Sequence, residues 1–123
     1  MNLLLDTQIA IWFAANSPKL PHAALDVMER ARAVYISAAS IWEIALKSRK
    51  LKIDVAQLVE RFAAAGIQEL AITWEHAVRS GSIAATHPDP FDRLLLAQAM
   101  HEPMHLLTSD ANLARYGDNV IEI

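Results

Sequence analysis

Asn2-Leu3-Leu4-Leu5-Asp6-Thr7-Gln8-Ile9-Ala10-Ile11-Trp12-Phe13 decides the fold. An apolar run too short for a helix ends at the polar pair Asp6-Thr7. Beyond it, Ile9, Trp12 and Phe13 fall at i, i+3 and i+4, the spacing of one helical face. A strand therefore feeds a helix through an acidic residue. Working outward, Ser17-Pro18-Lys19-Leu20-Pro21 breaks that helix, residues 22–32 read as a second one, and Val34-Tyr35-Ile36 as a second strand. Ser37 caps a helix running to about Ser48. Asp54 caps another, with Val55, Leu58, Val59, Phe62 and Ala63 on one face and Gly66 as its stop. Residues 67–72 form a third strand, and Trp74 to about Ile83 a helix. His87-Pro88-Asp89-Pro90 is a break, and Phe91 to Glu102 is a helix apolar almost all round, expected to be buried. His105 to Thr108 is a fourth strand, a short helical piece starts at Asp110, and Val120 to Ile123 is a fifth strand.

Short apolar strands separated by helices imply right-handed crossovers and a parallel sheet covered on both faces. The fold class is α/β. With 123 residues, 54% hydrophobic, three glycines and no cysteine, the chain suits one compact domain over residues 1–123 with a core that needs no disulfide or structural metal. A mean hydropathy of +0.20 leaves apolar surface for an interface, so a homodimer or other partner is expected. The net charge of −3 argues against holding nucleic acid by bulk positive field, while leaving room for a local basic patch. The longest uninterrupted apolar stretch, Ile9 to Ala15, is far too short to span a membrane, and the first six residues lack the positive start of a signal peptide. A soluble cytoplasmic protein is expected.

In an open parallel sheet, ligands bind beyond the carboxyl ends of the strands, where strand order reverses. Asp6 follows strand one, Asp110 follows strand four, Asp92 opens the buried helix leading to strand four, and Glu43 is a lone acid in Ser40-Ile41-Trp42-Glu43-Ile44. Capping accounts for several of them singly: Asp6 and Asp110 suit N-caps, Asp89-Pro90-Phe91-Asp92 reads as N-cap, N1 proline and N3 acid, and Ser40-x-x-Glu43 matches a capping box. Capping does not explain convergence on one sheet edge. Carboxylates gathered there repel, and a divalent cation keeps them ionised; oxygen ligands select Mg²⁺ or Mn²⁺. His101-Glu102-Pro103-Met104-His105 matches H-E-x-x-H literally, but Pro103 forbids the continuous helix that motif requires. Lys47, Arg49, Lys50 and Lys52 gather at the end of the helix carrying Glu43, where cations are ordinary and where they could also meet phosphates. Arg93 is expected to pair with a carboxylate rather than contact a phosphate. Trp12, Trp42 and Trp74 are expected in the core or an interface rather than stacked on bases.

Leu3-Leu4-Leu5-Asp6-Thr7, Ser40-Ile41-Trp42-Glu43-Ile44, the run from His87 to Ala99 containing Asp89-Pro90-Phe91-Asp92-Arg93, and Leu107-Thr108-Ser109-Asp110 together resemble PIN-domain ribonuclease toxins of the VapC type. The resemblance covers essentially the whole chain. It implies a five-stranded parallel sheet ordered 3-2-1-4-5, an acidic metal set of Asp6, Glu43, Asp92 and Asp110, one or two Mg²⁺ or Mn²⁺ ions, RNA cleavage by metal-activated water, and a cognate antitoxin lying in a groove near the site. Thr7, Arg93, Thr108, Ser109, Lys47 and Arg49 are then candidates for touching substrate. Gln8 stands where many relatives have His, and Arg49 where Gly often precedes Lys-Leu; neither replaces a carboxylate. An inactive PIN-like binding module would be expected to lack one or more of the acids, and all four remain. A HAD-like aspartyl phosphatase would want an acid where Gln8 stands.

Overall fold

A computed structural model describes residues 1–83 and 89–123. In chain order the elements are β1 (Asn2–Leu5), α1 (Thr7–Ala14), α2 (His22–Arg30), β2 (Ala33–Ser37), α3 (Ala38–Leu51) and α4 (Val55–Ala64), then β3 (Gln68–Leu70), α5 (Trp74–Ser80), α6 (Pro90–His101), β4 (His105–Thr108), α7 (Ala111–Ala114) and β5 (Val120–Glu122). The strands form one sheet ordered β3-β2-β1-β4-β5, and every pairing is parallel. β1 lies at the centre, with Leu3 opposite Val34 on one side and Leu4 opposite Leu106 on the other.

The period of two along β1 divides its leucines between two cores. Leu4 packs with Leu95, Leu96 and Ala99 of α6 and Leu113 of α7, while Leu3 and Leu5 pack with Ile9 of α1, Ile44 of α3, and Leu58 and Phe62 of α4. All three leucines are fully buried, as a central strand covered by helices on both faces requires. The middle of α6, Leu95 to Ala99, is likewise buried, as its nearly all-round apolar pattern implies.

Several ends differ from the sequence reading for tertiary reasons. α2 stops at Arg30 rather than at 32 because the Arg32 N–H donates to the Met1 carbonyl (2.7 Å), drawing the chain alongside β1. β3 is confined to Gln68–Leu70 because its partner β2 ends opposite Leu70, where Ser37 turns into α3. α3 runs past Ser48 to Leu51 and closes on Lys52 in the left-handed region (φ 55°). α5 ends at Ser80, before Ile83. Gly66 occupies the position just past α4 with φ +79°, a conformation that glycine adopts without strain. In the expected break, His87 and Pro88 lie outside the described residues, and Asp89 with Pro90 caps and starts α6. No helix among the described residues is long and apolar enough to cross a membrane.

Candidate metal centre

β1 and β4 are neighbours with helices leaving to different parts of the molecule, so their carboxyl ends open the crevice expected at a change of strand order. Asp6 stands at the end of β1, almost buried. Its Oδ1 accepts from the Thr7 N–H (2.8 Å) and its Oδ2 from the Thr108 hydroxyl (2.7 Å). The Thr108 hydroxyl in turn accepts from the Asp110 N–H (3.0 Å), so one side chain fixes the ends of both strands. Asp110 caps α7 through the Asn112 N–H. The Thr7 hydroxyl donates to Ser40 Oγ (2.9 Å), tying the start of α1 to α3. Ser37, not Ser40, caps α3, so Ser40-x-x-Glu43 is no capping box; Glu43 lies in the second turn and is buried.

These placements bring Asp6, Glu43, Asp92 and Asp110 to the wall of one cleft of about 420 Å³, together with Thr7, Gln8, Lys47 and Ser109. Lys47 is the one basic side chain among its described lining residues, and its ammonium pairs with Glu43 Oε2 at 2.9 Å. Of the other residues proposed to meet substrate, Ser109 lines the cleft. Thr108 is fully buried beneath Asp6 and holds the Asp6 carboxylate and the Asp110 backbone N–H instead of facing solvent. Arg49 and Arg93 do not line the cleft, and among the described residues Arg93 pairs with no carboxylate, against the expectation. Trp42 and Trp74 are exposed rather than in the core; Trp42 meets Phe91 edge to face, and Trp74 stands 89% exposed on α5.

The electrostatics show how crowded the cleft is. Burial pushes the Asp6 carboxyl up, against the two hydrogen bonds that lower it, and Glu43 and Asp110 push it further. Asp92 is raised to about 7, first by burial and then by the negative charges of Asp6, Asp89, Glu43 and Asp110. Lys47 is held above the usual lysine range, chiefly by its bond to Glu43. In the folded protein Asp92 thus keeps its proton through a pH range in which the unfolded chain has lost it. Without metal, the stability that Asp92 contributes is therefore present below about pH 4 and lost as pH rises to about 7. Melting curves of metal-free protein at pH 5 and pH 8 should show the lower midpoint at pH 8, and Mg²⁺ should narrow the difference; a higher midpoint at pH 8 refutes it.

A second cluster escaped the sequence reading. Among the described residues, the set of three His or carboxylate side chains with ligand atoms within 4.8 Å of one another is not in the cleft: it is His76, His101 and Glu102. Hydrogen bonding argues against a metal there. His76 Nδ1 faces the Thr73 N–H (3.0 Å) and the Gln98 amide Nε2 (3.3 Å), so it carries no proton, and the ring proton sits on Nε2, facing Glu102. A ligating imidazole would need the opposite arrangement, with Nδ1 donating outward. The signal was present in Thr73-x-x-His76, a capping box with histidine in the place usually held by Glu or Gln. His101 and His105 end α6 and begin β4, which leaves H-E-x-x-H as a helix-to-strand turn.

The family model for the PIN domain matches residues 3–119. Ribonuclease VapC22 of Mycobacterium tuberculosis (strain ATCC 25618 / H37Rv) is 30% identical over 120 residues, covering 90% of this chain and 88% of the relative. Among solved structures, VapBC2 from Rickettsia felis bound to a promoter DNA fragment superposes with a TM-score of 0.74 at 17% identity, covering 100% of this chain and 98% of that one. A toxin-antitoxin complex from Klebsiella pneumoniae gives 0.72 at 21% (98% and 99% covered), and FitAcB from Neisseria gonorrhoeae 0.68 at 22% (98% and 96%). At these identities the structures speak for the fold, and the five-stranded 3-2-1-4-5 sheet agrees with it. From the family match, the sequence relative and the architecture together, the chain belongs to the PIN-domain family, as a VapC-like member.

Proposed function

We propose that residues 1–123 form one PIN domain acting as a divalent-metal-dependent endoribonuclease, the toxin of a toxin–antitoxin pair. The observation that carries this reading is the convergence of Asp6, Glu43, Asp92 and Asp110 on one cleft, where burial first and then the neighbouring negative charges raise Asp92 to about 7. Such a set fits a hard cation: its donors are carboxylate oxygens, and among the described lining residues only Lys47 offsets their charge. Asp6, Asp92 and Asp110 would hold Mg²⁺ or Mn²⁺, with Glu43 as a further ligand or an orienter of water. When bound, the ion activates water and stabilises negative charge on the phosphoryl oxygens.

The protein's own groups do the rest. Thr108 and Thr7 fix the Asp6 carboxylate so that no reorganisation is needed at the reacting centre. Ser109 lies on the cleft wall, and the basic end of α3, with Arg49, Lys50 and Lys52, lies on the same helix as Glu43 for a phosphate chain to follow. RNA as the substrate is carried over from the name of the M. tuberculosis relative, and an antitoxin partner from the neighbouring complexes. An apolar groove of about 390 Å³ lined by Ile41 of α3 and Val59, Phe62 and Ala63 of α4 offers the antitoxin a place. Exposed Trp74 and Val78 on α5 support a homodimer, and a protein with RNA as its substrate would act in the cytoplasm.

The test is incubation of purified protein with total RNA, with Mg²⁺ or Mn²⁺ and with EDTA. Cleavage should appear with metal, vanish with EDTA and return when metal is added in excess. Undiminished cleavage in EDTA, or none with either ion, refutes the reading; cleavage of DNA but not RNA corrects the substrate.

A further inference from the structure

Resting on the reading of the cleft as a metal site, the structure points to a role for Lys47 that neither the fold nor the relatives assign. Glu43 and Lys47 are a helical i,i+4 pair in the favourable order, ordinarily a minor surface contact. Here the partners are unequal. The Glu43 side chain is only 11% exposed and faces the cleft, whereas that of Lys47 is 56% exposed and reaches in from solvent. Lys47 Nζ lies 2.9 Å from Glu43 Oε2, within a cleft whose other described charged lining residues are all acidic. An ammonium in that position satisfies the same carboxylate oxygen that a divalent ion would take, and a half-exposed lysine can swing back into water at little cost while the buried glutamate stays.

We propose that Lys47 is a built-in competitor for the metal: its ammonium occupies Glu43 in the metal-free protein, an incoming divalent cation displaces it, and it thereby sets the metal concentration at which the cleft loads. The pair keeps the metal-free cleft partly neutralised, at the expense of metal affinity. The displaced ammonium then stands at the rim, available to a phosphate.

The experiment is calorimetric titration of Mn²⁺ into metal-free wild type, Lys47→Met, Lys47→Arg and Lys50→Met, without nucleic acid. Lys47→Met should bind Mn²⁺ about two- to fivefold more tightly, the equivalent of losing one modest ion pair. Lys47→Arg, which keeps a cation on Glu43, should bind no more tightly than wild type. Lys50→Met removes the same charge from the same helix outside the cleft lining and should change affinity less than twofold. Unchanged or weaker binding by Lys47→Met overturns the proposal, as does an equal gain in Lys50→Met, which would reduce the effect to the general field of the protein. In wild type, the ¹⁵Nζ resonance of Lys47 should change from restricted to freely rotating as Mg²⁺ is added; an unmoved resonance at saturation also overturns it. If neither wild type nor Lys47→Met binds Mn²⁺ saturably, the metal reading fails and this proposal fails with it, whereas Mn²⁺ binding indifferent to Lys47 sinks the proposal alone.

Discussion

Asp6→Asn and Asp110→Asn should each lower RNA cleavage by about 10²–10³-fold or more while the fold survives. The substitution keeps the shape of the side chain and removes the charge on which ion binding depends. At position 6 the amide can keep its oxygen on the Thr7 N–H, and the Thr108 hydroxyl can turn to accept from the new NH₂, so little of the local network is lost. Burial and the neighbouring acids oppose ionisation of Asp6, so without metal the Asp6→Asn variant should melt no lower than wild type at pH 8. Added Mg²⁺ should raise the wild-type midpoint and barely move that of the variant. Loss of function with no loss of stability is the signature of a site; a variant that unfolds would mark Asp6 as a structural cap. Cleavage unchanged in both purified variants refutes the assignment of these carboxylates.

The second large effect lies away from the cleft. His76→Ala should destabilise the protein by roughly 3–5 kcal/mol, combining a core cavity with lost hydrogen bonds to buried groups. His76 is fully buried between α5 and α6, takes the Thr73 N–H and the Gln98 amide on Nδ1, and meets Glu102 through Nε2. Among the described residues the Gln98 Oε1 has no hydrogen-bond partner, so losing His76 would leave its amide worse served. His76→Phe, which restores volume but no polar contact, should recover only part of the loss. Urea unfolding measures both, and a cost below about 1 kcal/mol for alanine would show that the contacts are incidental. Zn²⁺ should raise the midpoints of wild type and His76→Phe by similar amounts, because the His76 ring presents a proton to the position a metal would need.

Much of this architecture was legible in the sequence because local chemistry and global packing agree. Asp6, Ser37, Asp54, Asp89 and Asp110 are polar residues ahead of apolar periodic runs, and each caps the helix that follows. The all-apolar run of α6 marked burial, and the position of the acids after strands marked the crevice. What stayed hidden depends on partners distant in sequence. The ends of α2 and β3 are decided by Met1 and by the turn at Ser37, which no local window contains. Thr108 reads as a plausible substrate contact until β4 pairs with β1 and places it under Asp6. The exposure of Trp74 and Trp42 is a tertiary outcome, since an aromatic residue on a short helix suits a core equally well. Nor does any motif say that His76 and Glu102 will meet, because they come together only when α5 folds back along α6.

The hydrogen bond from Thr108 to Asp6 joins positions 102 residues apart. Strand one leaves the ribosome long before the strand that pairs beside it and the hydroxyl that orients its carboxylate. A nascent chain stopped anywhere before β4 carries Asp6 and Glu43 without the framework that gathers the acids. If the cleft cuts RNA as proposed, that activity cannot arise until both ends of this 102-residue span have been made and paired.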